Sequence, residues 1–315
     1  MISCTEFIPA YNELFMFLDE QYGKKEVERF WEYLFKPDGV GIPLINFLQK
    51  EGLKGCFSYW STSLNEEAAD FSMYLNERDA WFKIDMHRCP SKGRLLELKD
   101  EIGIQPYKDY CLHCDHYRES VEKIGLKYIY DFCRTDDAKC SLFVYDPNKF
   151  RGRLIVDDDT VQMHRKASDN EYFHKDFHSS LNGGIHYLGE KYGKEVLCSF
   201  LKRFTKDVYK NTIDDIKIRG IEAIKDKIID TYKKEKSPDI LRITNCGDKT
   251  VFEIEECPAV KHLKSTGREV TPWFVYTTTV IMETFAEYAG LTFDLEYYDL
   301  QTGKAKYNFL SFKEK

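Results

Sequence analysis

The sequence predicts an α+β fold built twice: two tandem repeats, each made of helices plus a four-stranded antiparallel sheet. Three observations carry this expectation. A phrase recurs at long range, EQYGKKEVERFWEYLFK at 20–36 and EKYGKEVLCSFLKRFTK at 190–206. The echo continues in order, with WFKIDMHRCP (81–90) answered by VFEIEECP (251–258), and CDHYRESVEKIGLKYIYDF (114–132) by TTVIMETFAEYAGLTFDLEYY (278–298). Between the copies, the charged stretch RGRLIVDDDTVQMHRKASDNE reads as a linker. The expected boundaries are therefore a first repeat at 1–150, a linker at 151–171 and a second repeat at 172–315.

Each element follows from its period. Residues 8–22, 26–36, 176–192 and 194–235 place apolar side chains three and four apart, which predicts helices. DFSMYLNERDAWFKIDMH and DILRITNCGDKTVFEIEE instead alternate about short polar turns, as half-buried hairpins do. Cys89-Pro90 and Cys257-Pro258 then mark helix starts, because proline suits a first turn where its missing N–H has no partner to lose. A second hairpin closes each copy, Lys127 to Phe132 with Ser141 to Tyr145, and Thr292 to Tyr298 with Lys306 to Phe312.

Composition bounds the function. A length of 315 residues suits two cores, and 43% hydrophobic with 15% aromatic residues supplies the surface to bury in them. The formal charge of -7 is spread without a basic block, so no footprint for nucleic acid is present. The opening MISCTEFIPAYNELFMFLDEQYG interleaves Glu6, Glu13, Asp19 and Glu20 with apolar residues, and every apolar cluster in the chain is broken by charges. Neither an export signal nor a membrane span is expected, and a cytoplasmic location is. In that reducing compartment the ten cysteines are free thiols, metal ligands or catalytic groups rather than staples.

Two groups of side chains could do chemistry. In the first copy Cys89, Cys111, Cys114, Cys133 and Cys140 are brought near one another by a helix start and a closing hairpin. Four such ligands suit tetrahedral zinc, while small thiols packed in a core and a redox pair are the alternatives. In the second copy His174 and His178 lie four apart on one helix face, where they can bind a metal, polarise a substrate or hydrogen-bond within a core. Cys257 at a helix start and His262 five residues on could serve as nucleophile and base, with Arg268 neutralising a substrate carboxylate. Tyr187, Phe252, Trp273, Phe274 and Tyr276 could line a ligand cavity or simply build a core. No GxGxxG, Walker or GxSxG motif occurs, so no nucleotide cofactor is expected.

RCPSKGRLLEL, YCLHCDHYRESVEKIGL and FCRTDDAKCSLFVYD in the first copy, with HKDFHSSLNGGIHYLGEKYGKE and FEIEECPAVKHLKSTG in the second, resemble the L-2-amino-thiazoline-4-carboxylic acid hydrolase-like family of bacterial proteins. The resemblance covers most of both halves. Residues 114–145 are more loosely similar to vinyl-reductase-like sensor domains. The first resemblance implies a hydrolase of a small cyclic amidine or other thiazoline-like C–N substrate. The second implies a non-catalytic protein that binds or senses a small molecule.

Overall fold

The computed structural model describes residues 1–37, 39 and 44–311, and among them the chain is α+β with eleven α-helices and two antiparallel sheets. It forms two compact units. One is Leu18–His174; the other joins Met1–Phe17 to the chain from Lys175 onward. The divisions fall inside the first helix and after His174.

In chain order the elements up to His174 are α1 (Phe7–Tyr22), α2 (Lys24–Phe35), α3 (Leu44–Glu51), α4 (Lys54–Glu66), β1 (Asp70–Asn76), β2 (Trp81–Arg88), α5 (Pro90–Ile102), α6 (Tyr117–Lys123), β3 (Lys127–Asp131), β4 (Cys140–Tyr145) and β5 (Val161–Arg165). The strands pair in the order β3-β4-β2-β1-β5. This sheet has five strands where four were expected, because Val161–Arg165, within the expected linker, pairs antiparallel to β1 from Phe71↔Arg165 to Leu75↔Val161. Its inner face holds Phe71, Met73, Phe82 and Ile84 against Trp60 of α4 and Val121 of α6. Trp60 stacks on Phe82 with ring centroids 5.6 Å apart. Side chains of this size each contribute about 1.5–3 kcal/mol by leaving water, so packing on α4 and α6 decides which sheet face is buried.

The second unit continues with α7 (Phe177–Val208), α8 (Lys210–Arg219), α9 (Ile221–Lys234), β6 (Leu241–Cys246), β7 (Lys249–Ile254), α10 (Pro258–Ser265), α11 (Tyr276–Ala289), β8 (Leu291–Tyr298) and β9 (Ala305–Ser311). Its strands pair as β6-β7-β9-β8. The last residue of the expected closing strand, Phe312, lies outside the described residues. The single expected helix over 194–235 is three pieces, since Tyr209 and Gly220 leave helical geometry between them.

The repeated YG phrase has a backbone reason. Gly193 breaks α7 at φ 82°, ψ 177°, and Gly23 caps α2 at φ 84°, ψ 165°. Side chains rarely adopt this conformation, so glycine lets one helix end and the next begin without a loop. Nothing lies within 4 Å of a Cβ built on Gly193, so Gly193→Ala is expected to cost about 1–2 kcal/mol from backbone strain alone, read as a fall in melting temperature. A loss below a few tenths of a kcal/mol would show that the break tolerates a side chain.

Candidate functional site

The Cys-Pro steps form as expected and build a corner in each unit. Cys89 is the N-cap of α5, with Pro90 first in the helix, and its backbone N–H donates to the Ala138 carbonyl at 2.7 Å. Cys257 caps α10 before Pro258, and its N–H donates to the Thr302 carbonyl at 2.9 Å. Each corner is tied in this way to the turn that precedes the last strand of the closing hairpin, and each borders a cavity.

The cavity at Cys89 has a free volume of about 30 Å³, enough for one or two water molecules or a single ion. Cys89, Cys111, Cys114 and Cys140 all line it, together with His113 and Tyr130. Cys133 does not. It is exposed, and Asp131 accepts its backbone N–H at 2.9 Å. Burial pushes the Cys89, Cys114 and Cys140 thiols up, and the Cys111 thiol up to about 11, while burial brings His113 down to about 4. These are protonated thiols beside a neutral imidazole, inert as nucleophiles unless a cation displaces their protons. Although the four sulfurs share a cavity, no three of them lie within 4.8 Å of one another, so the ligand set is gathered but not closed.

The cavity at Cys257 has a free volume of about 20 Å³, room for one water. Its walls include Ile254, Ile281, Met282 and Phe285, and polar atoms come from tyrosines 209, 232, 298 and 307, from Thr231 and Thr278, and from Lys227, whose ammonium pairs with Glu6. Cys257 is 5% exposed, lies 3.2 Å from the Met1 sulfur, and has its thiol pushed up by burial. Of the histidines expected to join Cys257, none lines this cavity.

The four expected catalytic residues therefore separate. His174 belongs to the unit that ends there, where Nδ1 lies 2.6 Å from the Glu66 carboxylate. His262 pairs through Nε2 with Asp176 at 2.9 Å, and Arg268 takes the same carboxylate oxygen at 3.0 Å while also meeting Ser179. Arg268, expected to hold a substrate carboxylate, is thus occupied by a protein one. Tyr187 is buried, and its hydroxyl accepts from Lys191 at 2.9 Å. Only His178 and His262 approach each other, with ring centroids 6.3 Å apart.

His178 has partners that its spacing did not suggest. It sits at the buried start of α7, 1% exposed, and its Nε2 lies 3.0 Å from Glu235 Oε2. Glu235 follows α9 as its C-cap, which turns the side chain inward. Its other oxygen accepts the Cys4 backbone N–H at 2.7 Å, and Cys4 begins a one-turn helix capped by Ser3. Burial would raise the Glu235 pKa, but hydrogen bonding and charge from His178, with help from the Cys4 amide and Ser3, more than offset it and hold the carboxyl at about 2. Burial and then Glu235 push the Cys4 thiol well up. Cys4, His178 and Glu235 each bring one S, N or O atom within 4.8 Å of the others, the single such trio of His, Cys, Asp and Glu among the described residues. No helix among the described residues is long and apolar enough to cross a membrane.

No family model, no curated protein and no solved structure matches the chain.

Proposed function

We propose that the protein binds a small, largely apolar molecule at the Cys257 corner and does no chemistry on it. The observation that supports this reading is the composition of that cavity: aliphatic and aromatic walls, hydroxyls of tyrosine and threonine, one lysine already paired with Glu6, and no histidine to move a proton. At about 20 Å³ the cavity is closed down, and Met1 and Met282 are the flexible side chains whose rotation enlarges it. Native mass spectrometry of the purified full chain is expected to show one small molecule retained per chain. Thr278→Ile, which keeps a β-branched side chain while adding bulk to the wall, is expected to abolish that retention, with circular dichroism checking that the fold survives. Retention unchanged by the substitution would move the ligand elsewhere.

A second reading, hydrolysis of a small cyclic amidine or thiazoline-like C–N substrate, is favoured by one arrangement, the His178 imidazole oriented by Glu235 beside Cys4. Turnover of a 2-amino-thiazoline carboxylate that His178→Ala abolishes would put this reading first.

The cavity at Cys89 is the proposed seat of a structural zinc, held by Cys89, Cys111, Cys114 and Cys140 after modest side-chain rotation. Elemental analysis of protein prepared without chelator is expected to find zinc, and Cys114→Ser is expected to lose it. We also take the chain to be a tandem duplication. In support, the order of elements from β1 to β4 repeats from β6 to β9, both sheets run third-fourth-second-first in that order, and each Cys-Pro corner bonds to the corresponding turn of its own unit. β5 is then an addition to the first copy.

A further inference from the structure

We propose that Cys4, His178 and Glu235 form a second metal site, one for a divalent cation of the zinc class. The three side chains supply a sulfur, a nitrogen and an oxygen, the donor set that suits zinc or cobalt and disfavours magnesium or calcium. Their ligand atoms already lie within 4.8 Å of one another, and 3.0 Å separates His178 Nε2 from Glu235 Oε2, close to one edge of a small coordination polyhedron. Charge also balances. A thiolate and a carboxylate neutralise a divalent ion, so a neutral ion-ligand group can be buried where a bare charge could not.

The independent observation is His178 Nδ1. It is buried and has no hydrogen-bond partner among the described residues. Nδ1 is therefore open to carry the ring proton, at the cost of an N–H without an acceptor there. The shift gives up the Nε2–H bond to Glu235 and frees the Nε2 lone pair beside a carboxylate oxygen, so a cation between them replaces that bond with bonds to both atoms. On binding, the cation forms bonds to Cys4 Sγ, His178 Nε2 and Glu235 Oε2; the Cys4 S–H bond breaks and its proton goes to solvent, while the imidazole keeps its own proton on the other nitrogen. Residues far apart in sequence would be joined by the ion, with Cys4 and Glu235 231 positions apart. This site is independent of the ligand-binding reading and of the zinc proposed at Cys89.

The test uses crystals of the full chain grown with Zn²⁺ and a titration of the same protein with Co²⁺. An anomalous difference peak at the zinc edge is expected among Cys4 Sγ, His178 Nε2 and Glu235 Oε2. In solution, Cys4→Ala and Glu235→Gln are each expected to bind one cobalt fewer than the parent, whereas Cys114→Ala retains the ion at this site. A zinc-saturated crystal with no peak there overturns the proposal, as does a Cys4→Ala protein with the parent's cobalt stoichiometry. Should Cys4→Ala fail to fold, the anomalous map of the parent decides alone.

Discussion

Replacing Glu235 by alanine in the metal-free protein is expected to lower its unfolding free energy by about 3–5 kcal/mol, measured by urea denaturation at neutral pH. The carboxylate is 3% exposed and satisfies two groups at once, the Cys4 N–H at 2.7 Å and His178 Nε2 at 3.0 Å. Alanine leaves both buried without this partner, so the cost is that of stranded polar groups rather than of one hydrogen bond. Glu235→Gln keeps the shape and one acceptor oxygen, and is expected to lose about half as much. The same carboxyl makes stability depend on acid. Its folded value of about 2 lies below the ordinary 4.5, so its contribution is fully present above about pH 4.5 and is lost as pH falls toward 2. The full loss is roughly 3 kcal/mol by linkage. A pH titration of stability should therefore slope downward across that window in the parent and be flatter in Glu235→Gln. An equal slope in both would show that other carboxylates dominate the acid transition.

Why the sequence reveals the hairpins and corners but conceals this trio is a matter of range. β1 with β2, and β6 with β7, are local pairs whose alternation survives in the burial of β7, one residue in two, so period alone finds them. Cys-Pro and Tyr-Gly are local backbone signals that do not depend on distant partners. β5 is a strand that local pattern misses, since Val161, Gln162 and His164 are exposed on an edge and read as linker. Glu235 sits in the run KKEKS, indistinguishable by composition from the solvated end of a helix, and only the C-cap geometry after α9 turns it inward. His178 does stand out by its spacing from His174, but the spacing points to the wrong partner. α7 begins at Phe177, so His174 precedes the helix and goes to Glu66 while His178 is carried into a different unit. Cys89, Cys111, Cys114 and Cys140 line one cavity because they lie on elements that local rules place. Cys133 is left on the outside by its turn, where Asp131 accepts its backbone N–H.

Gly303→Ala is the other substitution expected to act strongly, lowering stability by about 2–5 kcal/mol in a thermal or urea unfolding measurement. Two costs combine there. The residue has φ +66°, which a side chain adopts only at a cost of about 1–2 kcal/mol. A Cβ on it would also overlap the Cβ of Cys257 and stand 3.0 Å from Val260 Cγ2, both in the packed corner rather than at the end of a flexible chain. Overpacking of that kind costs typically 1–3 kcal/mol because the corner must shift. The Cys257 N–H is bonded to the carbonyl of Thr302, the residue before, so pushing the turn away also strains that bond. Gly290→Ala separates the two costs, since its φ of 64° is close to that of Gly303 but a Cβ there meets nothing within 4 Å. If Gly303→Ala costs no more than Gly290→Ala, the corner at Cys257 is loosely packed. The expected excess would instead show that the turn is held hard against Cys257 and Val260, so that the wall of the cavity formed by this turn is fixed.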